Sequence, residues 1–327
     1  MDLKLFALGE SRTFGERIAR ELGLSLAAHE EREFEDGEHK ARPLESVRGA
    51  DVFVIHSLHG ESAHSVDDKL CRLLFFIGAL RDAGAFRLTA LVPYLCYARK
   101  ERRTRARDPV TTRYLAALFE AVGVDCVVAL DVHDLAAFQN AFRCRSEHLV
   151  ARPLFIEHFA GPLRDADVVV VSPDPGGFKR ADAFRRSLAV ALGRPDVPLG
   201  FMEKRRSGGE VSGTSLFAEV AGRTVIIVDD LVSTGGTLQR AARAAREAGA
   251  RAVHAAATHG LFTGGAEALF SESALASIVT TDSVEVRDVP PADAPVPLVR
   301  LSTARLFAEA VRRLHDGGSM SELAGLE

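Results

Sequence analysis

Residues 224–249 read TVIIVDDLVSTGGTLQRAARAAREAG, and the order of residue types in this stretch decides the fold. Residues 225–228 form a β-branched run suited to a buried parallel strand, and residues 238–248 an alanine- and arginine-rich helix that Gly249 ends. The turn between them suits a phosphate. Gly235 and Gly236 remove side chains where a backbone must approach a ligand, Thr234 and Thr237 offer hydroxyls, and the N–H groups of the helix start favour an anion. Asp229 and Asp230 would repel that anion directly. Two carboxylates at the end of a strand make sense facing the hydroxyls of a sugar, or a magnesium ion, with the phosphate further along the turn. Without the rest of the string, the glycines only turn the chain and the acids only cap a helix.

The 327 residues are 47% hydrophobic and 26% charged, enough for a substantial core and for two domains of ordinary size. A net charge of -4 gives no general attraction to nucleic acid or to an anionic membrane, so clustered arginines need a local explanation, and phosphates supply one. Cys71, Cys96, Cys126 and Cys144 lie far apart without a CxxC pair, which fits a reduced, cytoplasmic protein. No basic start leads into a long apolar run, and no segment reaches the roughly 18 apolar residues of a membrane span.

Outward from the central stretch, the chain reads as α/β throughout. Residues 3–8 predict a strand, 13–22 a helix with Thr13 and Glu16 at capping-box spacing, and 52–57 a second strand. Between them lies FEDGE, residues 34–38. Its Asp-Gly pair favours a hairpin turn, and Phe34 is either a core residue or an exposed aromatic able to stack on a purine beside polar acceptors. Residues 67–85 have helical spacing, and residues 88–93 form a strand feeding YLCYARKERRTRARDPVTT. Arg99, Lys100, Arg102, Arg103, Arg105 and Arg107 are too dense there for a core. They make a solvated basic loop or, since α/β proteins bind ligands after parallel strands, a seat for a triphosphate. The strand at 124–130 ends in Asp131, Val132, His133 and Asp134, and a lone histidine at a strand end is more often a structural hydrogen-bonder than a metal ligand.

Near residues 150–153 the pattern restarts, so residues 1–149 and 150–301 are expected to form two similar α/β domains. The second begins VVVVSPDPGGFKRADAFRRSLAVAL: a buried strand at 168–171, a turn at 172–177 whose N–H groups can form an anion-binding nest, and a helix at 178–192 with basic residues at its start. In FMEKRRSGGEVSGTSLFAEV, residues 201–220, Lys204, Arg205 and Arg206 precede a Gly/Ser-rich segment, the composition of a mobile loop or of an exposed hairpin with a charged stem. A strand at 252–257 leads to THGLFTGGA, where His259 is expected to be structural. Residues 278–282 suggest the last strand and PPADAPVP an extended connector, before a helix at 302–314 with Ser302 as candidate cap.

Taken in order, these motifs resemble those of the ribose-phosphate pyrophosphokinases, or phosphoribosyl pyrophosphate synthetases. The likeness implies two phosphoribosyltransferase-like domains, each a largely parallel sheet flanked by helices, with a C-terminal segment, 302–327, packing on the first. FEDGE is similar to the family's FxDGE loop, which reaches the adenine site of a neighbouring subunit. Phe34, Asp36, Gly37 and Glu38 are thereby implied to bind ATP within a homo-oligomer, a dimer or a dimer-based hexamer. Arg99 and Lys100 match the ATP-contacting positions of YARQDRR, with Lys100 and Glu101 where the family has Gln and Asp. His133 matches the family's DLH histidine and Asp174 the acid of its SPDxGG loop, both implied to attend Mg2+. Lys204 and Arg206 match the first and third cations of the catalytic loop. Asp229, Asp230, Ser233, Thr234, Gly235, Gly236 and Thr237 match the ribose 5-phosphate motif, with Ser233 where many bacterial members carry a third Asp.

The implied reaction transfers the β,γ-diphosphoryl group of ATP to the anomeric hydroxyl of ribose 5-phosphate, giving AMP and 5-phosphoribosyl 1-diphosphate. No GxxxxGK[ST] loop is present, so the chain is not a P-loop kinase. A phosphoribosyltransferase would share the sugar-phosphate turn but needs neither FEDGE nor the YAR run. A non-catalytic regulatory relative would keep the fold without turnover.

Overall fold

Short aliphatic runs become buried parallel strands wherever helices return the chain to the same edge, and the amino-acid pattern repeats this unit along the chain. A computed structural model describes residues 1–61, 63–207, 210–285 and 289–325, of which 204–207 and 210–214 are described by backbone alone. The chain divides into two compact units, Met1–Val150 with Thr303–Glu327, and Ala151–Ser302.

The first unit contains β1 (Leu3–Ala7), α1 (Arg12–Leu22), β2 (His29–Glu33), β3 (His39–Pro43), β4 (Asp51–Ile55), α2 (Val66–Asp82), β5 (Arg87–Val92), α3 (Thr111–Ala121), β6 (Cys126–Leu130), α4 (Leu135–Ala141) and β7 (Arg145–Leu149). Among the described residues, five of these strands form a parallel sheet in the order β1-β4-β5-β6-β7, each step taken in the same direction. Every residue of β4 and β6 is buried, as a sheet covered on both faces requires. Among the described residues, strands β2 and β3 pair only with each other, as an antiparallel hairpin.

The second unit contains α5 (Arg152–Ala160), β8 (Val168–Ser172), α6 (Phe178–Leu192), β9 (Leu199–Ser207), β10 (Glu210–Phe217), β11 (Thr224–Val232), α7 (Gly236–Glu247), β12 (Ala252–Gly260), α8 (Glu267–Phe270), β13 (Ser277–Thr281) and β14 (Leu298–Leu301). Its seven described strands run β10-β9-β8-β11-β12-β13-β14, parallel except for the β9–β10 hairpin at one edge. From β8 the chain goes one way to β9 and β10, then returns to the other side as β11. The strand order therefore reverses between β8 and β11, and at such a reversal loops diverge and leave a crevice beyond the carboxyl ends.

The last helix, α9 (Ala304–Asp316), packs against α1, with Phe14 and Phe307 edge to face at 5.6 Å between ring centroids. Polar bonds reinforce this contact. Asp51 is fully buried at the start of β4, where it accepts from Arg87 Nε at 2.8 Å and lies 2.7 Å from His315 Nδ1, while Arg87 also donates to the Leu314 carbonyl at 2.9 Å.

Several local expectations are corrected. Helix α1 begins at Arg12, directly after a 3-10 turn at Gly9–Ser11, so Thr13 is already inside the helix and Thr13 with Glu16 forms no capping box; Glu16 instead accepts from Arg12 Nε at 3.1 Å. Ser302 is not the cap of α9. Thr303 holds that position, without a side-chain cap bond. The strand at 278–282 is not the last, because after the proline-rich connector β14 adds four residues to the sheet edge. Of the two readings of residues 201–220, the hairpin with a charged stem is the one observed, with Lys204 and Arg206 on β9 of the β9–β10 hairpin.

Replacing Asp51 by Ala should strand the Arg87 guanidinium and His315 without their carboxylate. Urea denaturation is expected to show a loss of about 3 kcal/mol, with α9 becoming protease-sensitive; an unchanged midpoint and cleavage pattern would show that the apolar contact alone holds the helix.

Candidate functional site

The reversal point of the second sheet carries most of the residues singled out in the sequence. Strand β11 pairs with β8 only from Thr224 to Ile227 but continues along β12 as far as Val232. The two acids lie beyond the last β8 pair. Asp230 is buried and Asp229 partly so, and Arg180 from α6 places Nη1 3.6 Å from a carboxylate oxygen of each. Burial first, and then the neighbouring charge of Asp230, push the Asp229 carboxyl up to about 8, against the opposing pull of Arg180. The motif's acids are thus poorly solvated acceptors with a shared cation, and a donor entering beside them lowers the cost of ionising both.

The turn after β11 is shaped by its first glycine. Gly235 has φ +79, and a Cβ there would lie 2.5 Å from Leu269 Cδ1, so neither the backbone conformation nor the packing admits a side chain. Among the described residues no side chain caps α7, and the N–H groups of its first turn stand at the turn, the arrangement that receives an anion. Thr234 is exposed. Ser233 Oγ is 2.8 Å from Thr263 Oγ1, which ties the turn to the loop after β12, while Thr237 Oγ1 accepts from Arg240 Nη2 at 3.2 Å. His259 is buried with Nδ1 2.8 Å from Ser283 Oγ, the structural surroundings expected of it.

The turn after β8 is self-supporting. Ser172 Oγ donates to the Asp174 carbonyl at 2.6 Å, and Gly177 N–H donates to Asp174 Oδ1 at 2.9 Å. A side chain on Gly177 would place its Cβ 2.8 Å from Ser172 Oγ, so the glycine keeps the turn closed on its serine. Asp174 remains partly exposed and presents a hard carboxylate. Magnesium prefers oxygen ligands, several of them from water and substrate phosphates, so a single carboxylate suits it better than a cage. Among the described residues no group of three or more His, Cys, Asp or Glu could hold a metal by itself.

In the first unit, the loop at 34–38 closes the β2–β3 hairpin. Phe34 N–H donates to the Glu38 carbonyl at 2.8 Å, Glu38 N–H to Asp36 Oδ1 at 3.1 Å, and Gly37 has φ +88. Phe34 is 40% exposed with the Arg32 guanidinium 5.1 Å from its ring centroid, which removes the core reading of this residue. In the basic segment Arg99 is exposed, but Lys100 donates to Asp108 Oδ2 at 2.6 Å and to Thr104 Oγ1 at 2.9 Å. The Lys100 ammonium, followed by Thr104 and backbone N–H groups, holds the Asp108 carboxyl well below the usual range. His133 is exposed just ahead of α4, whose start is capped by Asp134 accepting from Ala137 N–H at 2.7 Å. The side chains of Lys204 and Arg206 lie outside the described residues.

Sequence reasoning assigned no role to Arg180 or Arg240. Arg180 follows the Gly-Gly turn and meets its acids only because β8 and β11 are neighbours. Arg240 carried a weak signal, a cation near a helix start where the dipole favours an anion.

Comparison with known proteins covers nearly the whole chain. Residues 3–123 match the model of the N-terminal domain of ribose phosphate pyrophosphokinase, and residues 146–292 that of the phosphoribosyl transferase domain. The ribose-phosphate pyrophosphokinase of Caldanaerobacter subterraneus subsp. tengcongensis is 38% identical over 98% of this chain and 97% of its own length. That of Vibrio parahaemolyticus is 39% identical over 98% of this chain and 99% of its own. The crystal structure of phosphoribosylpyrophosphate synthetase from Mycobacterium smegmatis superposes with a TM-score of 0.87 at 32% identity, covering 97% of this chain and all of that one.

The Asp229 carboxyl makes a pH-dependent stability difference. Raised from 3.8 to about 8, it holds its proton more tightly in the folded protein, so the stability it confers is present below about pH 4 and is lost as pH rises through about 8. Asp229→Asn should therefore melt a few degrees above the unsubstituted protein at the alkaline end of that window and alongside it at the acid end. Parallel melting curves for the two proteins across the window would contradict this electrostatic reading.

Proposed function

The chain belongs to the ribose-phosphate pyrophosphokinase family, and we propose that its residues divide that family's reaction as follows. The anomeric hydroxyl of ribose 5-phosphate attacks the β-phosphorus of ATP, the bond from the β-phosphorus to the α,β-bridging oxygen breaks, and AMP leaves while the hydroxyl proton is lost. The observation that carries the assignment is the pairing of an anion-receiving turn with two half-desolvated acids at the strand-order reversal of the second unit.

The 5-phosphate binds the N–H groups and hydroxyls of Ser233, Thr234, Gly235, Gly236 and Thr237. Asp229 and Asp230 accept hydrogen bonds from the ribose hydroxyls, which orients the anomeric carbon. Orientation of this kind supplies a large share of the acceleration. Arg180 offsets part of the repulsion that holds the proton on Asp229, and so eases its ionisation when the sugar arrives.

ATP is read by Phe34, Asp36, Gly37 and Glu38 and seated by Arg99 and Lys100. For Lys100 this requires sharing its ammonium between Asp108 and the nucleotide. Phe34 is exposed on a hairpin outside the main sheet, which supports the reading that it serves a neighbouring subunit in a homo-oligomer, a dimer or a hexamer built from dimers. Magnesium, when bound, would neutralise triphosphate charge and polarise the transferred group. Asp174 and His133 are the residues assigned to it, Asp174 by its hard oxygen. Lys204 and Arg206 offset charge on the transferred diphosphoryl group and the leaving AMP.

A phosphoribosyltransferase is not favoured, since the N-terminal match is to the pyrophosphokinase domain. Four free cysteines fit a cytoplasmic setting, and among the described residues no helix is long and apolar enough to cross a membrane.

Purified protein given magnesium, ATP and ribose 5-phosphate should release AMP and 5-phosphoribosyl 1-diphosphate in equal amounts, and no AMP when the sugar is left out. Appearance of ADP in place of AMP would rule out diphosphoryl transfer. Lys204→Ala should lower kcat by a factor on the order of 100 while ribose 5-phosphate binding stays nearly intact; equal losses in both would remove Lys204 from the chemistry.

A further inference from the structure

Among the described residues the hairpin that carries residues 34–38 has no main-chain ladder to the five-stranded sheet, which leaves side chains to fix where its loop stands. A lone two-stranded hairpin is marginal by itself. Its first strand is held by Glu31, which accepts from Gly9 N–H at 2.8 Å, and its second by the stacking of His39 on Phe75 of α2 at 5.6 Å. The loop end depends on Glu33, the residue before Phe34. Glu33 Oε1 lies 2.7 Å from His64 Nε2 and accepts from Arg72 Nη2 at 2.5 Å. On its other side His64 Nδ1 is hydrogen-bonded to Glu10 Oε1, in the segment that follows β1.

Both ring nitrogens of His64 therefore face carboxylates. Neutral imidazole has one N–H and would set its bare nitrogen against a carboxylate oxygen, whereas the imidazolium donates to both. Burial, the largest single influence, pulls the His64 pKa down, but the bonds to Glu33 and Glu10 carry it above the ordinary histidine value. The charged groups around it are Glu10, Glu33, Asp68 and Arg72, with Lys69 acting on Glu10.

We propose that His64 is a positioning residue for nucleotide binding: as an imidazolium it clamps Glu33 and sets the stance of residues 34–38 toward a purine nucleotide. This rests on the assignment of that loop to ATP. The sign follows from the raised pKa. The clamp is complete below the ordinary histidine range and is lost as pH rises through the higher folded-state value, so affinity for ATP falls on the alkaline side.

The test is steady-state kinetics of the full-length protein across pH, reading KM for ATP, KM for ribose 5-phosphate and kcat separately. KM for ATP should rise with pH on the order of tenfold. His64→Gln should have the high value throughout and lack that transition, with KM for ribose 5-phosphate and kcat nearly unchanged. His64→Lys, charged over the whole range, should restore part of the affinity without the transition. The ionisation of ATP itself is common to all three proteins and cancels in the comparison. Persistence of the transition in His64→Gln, or equal damage to both substrates, overturns the proposal. Should His64→Gln not fold, Glu10→Gln removes one carboxylate and should move the transition to lower pH; an unmoved transition is equally fatal. Absence of sugar-dependent AMP in the unsubstituted protein would instead defeat the functional assignment itself.

Discussion

Two carboxylates in succession at the end of a buried strand repel each other, and much of the second unit is arranged around that repulsion. They are tolerated because the sheet gives β11 a partner on only one side beyond Ile227, leaving room for Arg180. The turns on either side are then constrained as well. Gly177 must stay small to close on Ser172, and Gly235 must stay small against Leu269, so both turns are fixed by packing rather than by ligand. Turns held in this way need little rearrangement to receive an anion, which is the advantage of preorganised dipoles over solvent.

The first unit works under a different constraint. Its sheet advances in one direction without reversal, so no crevice arises from strand order, and its candidate nucleotide residues come from a hairpin and a basic loop. These are held by ionic contacts of short reach. Asp108 gathers Lys100, Thr104 and two backbone N–H groups, and Glu33 gathers His64 and Arg72. Polar clusters of this kind fix a loop with little apolar burial, but their strength changes with protonation and salt.

Much of this arrangement is legible in the residues themselves. The β-branched runs at Val168–Ser172 and Thr224–Val232 can hardly be anything but buried strands, and the glycine turns after them declare their chemistry. What escaped reading depends on contacts between distant residues or on very small energies. Arg180 is one basic residue among several until β8 and β11 become neighbours. Strand β14 is only four residues long and follows prolines, so nothing local announces it. The N-terminal cap was misplaced because Thr13 and Glu16 have the right spacing while a preceding 3-10 turn shifts the helix start to Arg12. Phe34 has the residue type of a core and the location of a binding surface, a distinction that only its surroundings settle.

The buried Asp51 joins Arg87 to α9, more than two hundred residues later in the chain. The first unit is thus discontinuous, with the whole of Ala151–Ser302 made between its two pieces. On the ribosome, the seven described strands of the first unit emerge long before the helix that covers α1, and the second unit is complete before the first can close. A nascent chain cut short near its end would carry a complete second unit attached to a first unit still lacking the helix that packs on α1.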